Sequence, residues 1–358
     1  MLRLDNNKKE KNIQENPYEK EKNKITKKKK NNIKLSKFLE PLVSKKTLKD
    51  VNECGNYIEY VTDIEEKKYK LYRAFFCKNR FCPMCSWRKS LKDSLLISIL
   101  MKYIETELNY EFVFLTLTVK NIKGDELNDK IKEMNRAFTK MLKRAEIKNL
   151  TEGFIRKLEI TYQKEKFITK ELYEKKYDYY KKRNLKIGDL EPNFDTFHPH
   201  FHCVIAVKKQ NNRNRISQKR WKELWQESMK DKSITQIKVD DIKKKSDNKE
   251  VFEVAKYSAK DADYLVNENV FNYFYKALKG KQLITFSGCF KDALILYKLG
   301  KLDYLKEIYK TEYVYCVGLT WFEKEYVLEV FRELSDEEYK EINKRLIDEL
   351  NCEIDDLT

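Results

Sequence analysis

Apolar and polar positions follow two rhythms along this chain, and the switches between them mark out its elements. Leu91, Leu95, Leu96, Ile99, Leu100, Tyr103 and Ile104 recur at helical spacing and predict an amphipathic helix from Ser86 to about Leu108. Residues 112–119 form a near-continuous apolar and β-branched run, which predicts a central strand covered on at least one face. Helical periodicity returns over 125–146 through Leu127, Ile131, Met134, Phe138 and Met141, and residues 154–162 read as a second strand with Glu159 inside it. Residues 164–196 are densely charged and rich in tyrosine, and predict a helical excursion inserted between paired strands. Val204 to Val207 reads as a buried strand, with Pro199 marking its beginning because proline is tolerated mainly at a strand's first residue or edge. A helix around Trp221, Leu224 and Trp225, a half-buried strand over 233–240 and an alanine-rich helix over 250–265 follow. Beyond about 280 come further helical and strand-like segments without evident chemistry.

Charge and cysteine usage narrow the setting. Lysine and arginine outnumber aspartate and glutamate by 75 to 58, and the net +17 suits a polyanionic partner, although a composition bias toward lysine would give the same excess. Residues 1–45 are dominated by Lys, Asn and Glu, include the run Lys27 to Lys30, and are expected to be a disordered basic tail. No apolar stretch approaches bilayer length and the N-terminus has no apolar leader core, so neither membrane insertion nor secretion is expected and a cytoplasmic location is. At 358 residues the chain can bury a core without covalent staples.

The candidate chemistry is concentrated in three places. Cys77, Cys82 and Cys85 lie in one short run, with a two-residue spacing that lets the last two thiolates reach one ion; with Cys54 they make the four soft ligands of a closed structural zinc site. Buried free cysteines are the plainer alternative. All three histidines fall in His198-Pro199-His200-Phe201-His202, and strand alternation projects His200 and His202 from one face, half of a metal site. Glu159, flanked by Leu158 and Ile160, either is paired or metal-bound or lies on the solvated face of its strand. Farther on, Glu253 and Tyr257 are helix neighbours four residues apart, with Lys256 and Lys260 flanking them.

Taken together, Phe114-Leu-Thr-Leu-Thr118, His198-Pro-His-Phe-His202-Cys-Val-Ile-Ala206 and Glu253-Val-Ala-Lys-Tyr257-Ser-Ala-Lys260 resemble, in type and order, the motifs of rolling-circle plasmid replication initiators of the HUH endonuclease superfamily. The cysteine run resembles the segment found upstream in the same group, and the resemblance spans about residues 50–270. It implies an α+β fold in which a central antiparallel sheet is flanked by helices. It implies Mg²⁺ or Mn²⁺ at His200 and His202, completed by Glu159 or His198, with Glu159 favoured because Pro199 would displace His198 from the pleat. It implies that Tyr257 is the nucleophile, that Lys256 and Lys260 assist it, and that Glu253 activates water to end the cycle.

The expected organisation is therefore a basic tail (1–45), a cysteine-rich zinc module (46–90), a nicking and joining domain (91–280, with the 164–196 insertion) and a mainly helical C-terminal region (281–358). The expected partners are double-stranded origin DNA, a single-stranded nick site, and the host helicase and replication machinery; a dimer on the origin is left open. A relaxase or transposase of the same superfamily, and a non-catalytic zinc-dependent DNA-binding protein, are the rival readings.

Overall fold

The computed structural model describes residues 16–208, 216–241, 260–306 and 311–344. Two antiparallel sheets organise them. The larger has the order β6-β3-β5-β4-β7, built from β3 (Tyr110–Thr118), β4 (Thr151–Gln163), β5 (Thr196–Lys208), β6 (Ile237–Asp241) and β7 (Ile284–Gly288). The smaller has the order β2-β1-β8-β9, built from β1 (Tyr57–Thr62), β2 (Tyr69–Ala74), β8 (Tyr315–Phe322) and β9 (Glu325–Glu333).

Strand alternation explains how the larger sheet is covered. On one face Leu115, Leu117, Leu158, Ile160, Phe201, Cys203 and Ile205 join a core with helix α4 (Leu127–Leu142) and the helices Gln218–Met229 and Glu268–Leu278. Fully burying a side chain such as Phe201 contributes about 1.5–3 kcal/mol, and Trp225 ties its helix to β3 by donating to the Thr118 carbonyl at 2.8 Å. The opposite face is split. Phe112, Phe114, Ile155, Val204 and Ala206 pack beneath helix α3 (Pro83–Thr106) and the helix Cys289–Lys298. The other half carries Thr116, Lys157, Glu159, His198, His200 and His202, all of the matching parity. A polar quarter of a covered sheet is where a site can form.

Edge strand β7 reaches β4 because two glycines meet there. Gly153 pairs with Gly288, and a Cβ on Gly153 would come 2.5 Å from the Ser287 carbonyl oxygen.

Three expectations need correction. Residues 17–39 are not a disordered tail but helix α1 (Pro17–Leu39), capped by the Asn16 side chain and buried along Ile25, Lys29, Asn32, Leu35, Ser36 and Leu39. Half of that stripe is polar, so hydrophobic periodicity does not reveal it. The C-terminal region is not mainly helical: β7 joins the larger sheet, and the β8–β9 hairpin completes the cysteine module's sheet by pairing β8 with β1. Finally, Pro199 lies inside β5 and does not begin it. β5 pairs with β3 from His200 onward and meets Ile122 again at Phe197, so the missing amide falls where that ladder is interrupted, while Pro199 stays paired opposite Ile160 in β4.

Candidate functional site

The histidine strand lies between its two partners, and register decides what meets what. Glu159 of β4 is directly opposite His200, and Lys157 is opposite His202. The Glu159 Oε2 atom lies 3.2 Å from His200 Nε2 and 2.7 Å from His202 Nε2, and all three residues are at most 7% exposed. Each ring is fixed from its other nitrogen. His200 Nδ1 is 3.2 Å from the His198 carbonyl, and His202 Nδ1 is 3.4 Å from Thr116 Oγ1, with the His202 ring stacked on Phe114.

These contacts set the chemistry. A carbonyl only accepts, so the network places a proton on His200 Nδ1, and in the neutral ring Nε2 then turns a lone pair toward a carboxylate oxygen. Two acceptors face to face call for a cation between them. Two imidazole nitrogens and one carboxylate oxygen suit a divalent metal, and arms of about 2.1 Å put neighbouring ligand atoms roughly 3.0–3.4 Å apart, close to the spacing here. Burial by itself would raise the Glu159 carboxyl; when the imidazoles are protonated, in place of a bound cation, their hydrogen bonds hold it well below the usual carboxylate range instead. Glu159, His200 and His202 thus form a group able to hold a metal. His198 stands beside it, its ring stacked on that of His200 at 5.4 Å, and burial followed by the His200 charge brings its pKa down to about 4.

Further residues ring the site that sequence reasoning did not single out. Lys157 is 5% exposed, with Nζ 3.9 Å from Asp93 of α3, and burial brings its pKa down to about 8. Its spacing of two from Glu159 was the available signal, since alternation puts both on one face. Lys176, from the 164–195 excursion, donates to Gln163 at 2.9 Å and lies within Coulombic range of His198, so the excursion folds back along the end of β4. Asp263 is pushed up to about 6, first by burial, with Lys260 and Lys164 opposing and the Glu159 charge adding to the rise. Lys260 is exposed and caps the short helix Asp261–Tyr264. Glu253, Lys256 and Tyr257 lie outside the described residues.

The four cysteines converge as a second group. Sγ–Sγ distances of 3.6 Å link Cys54 to Cys85, Cys77 to Cys85 and Cys82 to Cys54. A tetrahedron with zinc–sulfur arms of about 2.3 Å has edges of about 3.8 Å, so the donor set fits zinc. Surrounding donors face the sulfurs and the adjacent backbone. Asn32 donates to Cys82 Sγ at 3.2 Å, the Cys77 amide approaches Cys54 Sγ at 3.5 Å, and the buried Lys29 donates to the carbonyls of Asn52 and Cys54 at 2.8 and 2.7 Å. A buried ammonium there would offset the charge of four zinc-bound thiolates.

The sequence has relatives among known proteins. The family model described as "Replication protein" matches residues 68–316. A "Protein rep" of Staphylococcus aureus is 39% identical over 249 residues, covering 69% of this chain and 96% of that protein. A "Protein rep" of a Bacillus species is 32% identical over 281 residues, covering 72% and 82%, and one of Streptococcus pneumoniae is 30% identical over 269 residues, covering 73% and 75%. No solved structure matches the chain.

Proposed function

This chain belongs to the replication-protein family, and from that premise we propose that it initiates rolling-circle replication of a plasmid by nicking one DNA strand through a 5′-phosphotyrosine link at Tyr257. The observation that carries the reading is the convergence of Glu159 on His200 and His202 within a polar quarter of an otherwise apolar sheet face. Those three side chains would hold a divalent cation, which supplies Lewis-acid polarisation of the scissile phosphate and stabilisation of its developing charge.

The chain's own residues supply the rest. The Tyr257 phenol loses its proton and its oxygen bonds to phosphorus, while the 3′-oxygen leaves and takes up a proton, so the phosphodiester energy is kept and a primer end is released. A phenol near pKa 10 is mostly protonated at neutral pH, and the ammonium groups of Lys256 and Lys260 lower the cost of ionising it. Glu253 serves as the base that activates water when the cycle closes by hydrolysis. His198 supplies the carbonyl that orients His200. The cysteine centre is a structural zinc site in this reading.

The test is incubation of the protein with labelled single-stranded origin DNA and Mn²⁺ or Mg²⁺. A denaturation-resistant adduct that requires the metal supports nicking. Binding without any adduct would favour the non-catalytic zinc-dependent DNA-binding reading.

A further inference from the structure

A row of cations runs along the side of α4 that faces away from the core. Arg136, Lys140 and Lys143 follow at spacings of four and three, so they share one helix face, and all three are exposed. Where the row ends, the surface dips into a cavity of about 350 Å³ whose walls include Lys143, Lys148, Phe154, Arg156 and Thr285. Arg156 reaches it from β4, its guanidinium held 4.9 Å from the Phe138 ring and 4.6 Å from the Phe201 ring.

None of these five cations has a carboxylate within ion-pair distance among the described residues, because nearby acids are engaged elsewhere. Asp129 pairs with Lys132 at 2.8 Å, Glu133 with Lys130 at 2.6 Å and Glu146 with Arg220 at 2.5 Å. Cations near a helix C-terminus offset its dipole, which accounts for Lys140 and Lys143. It does not account for Arg136 two turns earlier, nor for a half-buried arginine that rises from the strand below. A strip of unneutralised charge leading into a cavity with a guanidinium donor at its base is built for an anion that repeats along a line. From Arg136 to Lys143 the helix rises about 10 Å, the axial rise of roughly three phosphates on one strand of a duplex.

We propose that this α4 face is a second DNA surface, one that holds duplex DNA through its phosphates independently of sequence. It rests on DNA being the substrate. Arg156 alternates in β4 with Lys157, so the row and the Glu159 group lie on opposite faces of the sheet. The duplex is gripped on one side while the strand to be cut is handled on the other.

The test measures binding of the full-length protein to a short duplex of unrelated sequence by fluorescence anisotropy across a salt series. Arg136→Gln, Lys140→Gln and Lys143→Gln combined should lower the slope of log K against log salt by about three, near 0.9 per contact. Arg156→Met should lower it by about one more, with Arg156→Lys restoring it. Metal-dependent adduct formation on an isolated single strand should stay at the wild-type level. A wild-type slope in the triple variant, or a loss seen only on single strands, overturns the proposal. If no protein forms an adduct, nicking fails, and the duplex slope still decides this surface.

Discussion

The phenol of Tyr264 donates a 2.6 Å hydrogen bond to the main-chain carbonyl of Phe81, and both residues are buried. Phe81 belongs to the cysteine knuckle, one residue before Cys82, while Tyr264 ends the short helix that follows the proposed nucleophile segment. Other ties run the same way. Arg80 donates to the carbonyls of Leu278 and Lys281, and Asn31 of α1 donates to Asp261 at 2.8 Å. The four-sulfur centre therefore braces residues 260–281 from two sides.

Cys82→Ser should release about one equivalent of tightly held zinc, because three ligands no longer close the site. Amide exchange over residues 260–281 should quicken as the brace loosens. Elemental analysis after dialysis and hydrogen-exchange mass spectrometry check both; full retention of zinc or unchanged exchange would contradict the bracing role.

Glu159→Gln keeps the shape of the side chain but removes the charge between two imidazoles. Mn²⁺ affinity should fall by more than the roughly 10–100-fold that loss of an outer-shell partner costs. Thr116→Val, which removes only the partner of His202 Nδ1, should fall within that smaller range. Calorimetric titration with Mn²⁺ separates the two, and equal affinities in Glu159→Gln and the wild type would exclude the carboxylate as a ligand.

Asp263, beside the proposed metal ligands but not one of them, provides a pH test. Its folded pKa of about 6 lies above the ordinary aspartate value of 3.8, so the folded state holds its proton more tightly than the unfolded one. The associated stability is full below about pH 4 and is lost as pH rises through 6. Asp263→Asn should therefore stabilise the protein at pH 8, by on the order of 2 kcal/mol at one pKa unit per ~1.4 kcal/mol, and change little at pH 4. Denaturant unfolding at the two pH values measures this, and an equal effect at both would count against it.

Glu253→Ala should still nick but fail to finish by hydrolysis, so covalently trapped or multimeric products accumulate in a plasmid replication assay. Unit-length products at the wild-type level would remove Glu253 from that step.

Much of this was legible in the sequence, and the misses share a cause. The runs through Phe114, Ile160 and Val204 predict the three central strands because their side chains are apolar at the strand period, and β3, β4 and β5 follow them within a few residues. The excursion between paired strands is equally visible, since β4 and β5 pair through it. Helix α1 is not legible because Lys29, Asn32 and Ser36 occupy buried positions of its inner stripe, where backbone carbonyls and a cysteine sulfur accept hydrogen bonds from them. The β1–β8 pairing joins residues more than 250 positions apart, and no local pattern encodes such a partner. Glu159 stood undecided between solvent and metal because alternation gives a residue's face, while the neighbour on that face comes only from register.

The proposed chemistry turns on which atom receives the phosphate. Proteolysis of the adduct formed with 3′-labelled origin DNA, followed by mass spectrometry of the nucleotide-bearing peptide, reads it directly. The expected result is a phosphonucleotide on Tyr257, absent in Tyr257→Phe while duplex binding persists. A modification on another residue, or an undiminished adduct yield from Tyr257→Phe, would contradict it.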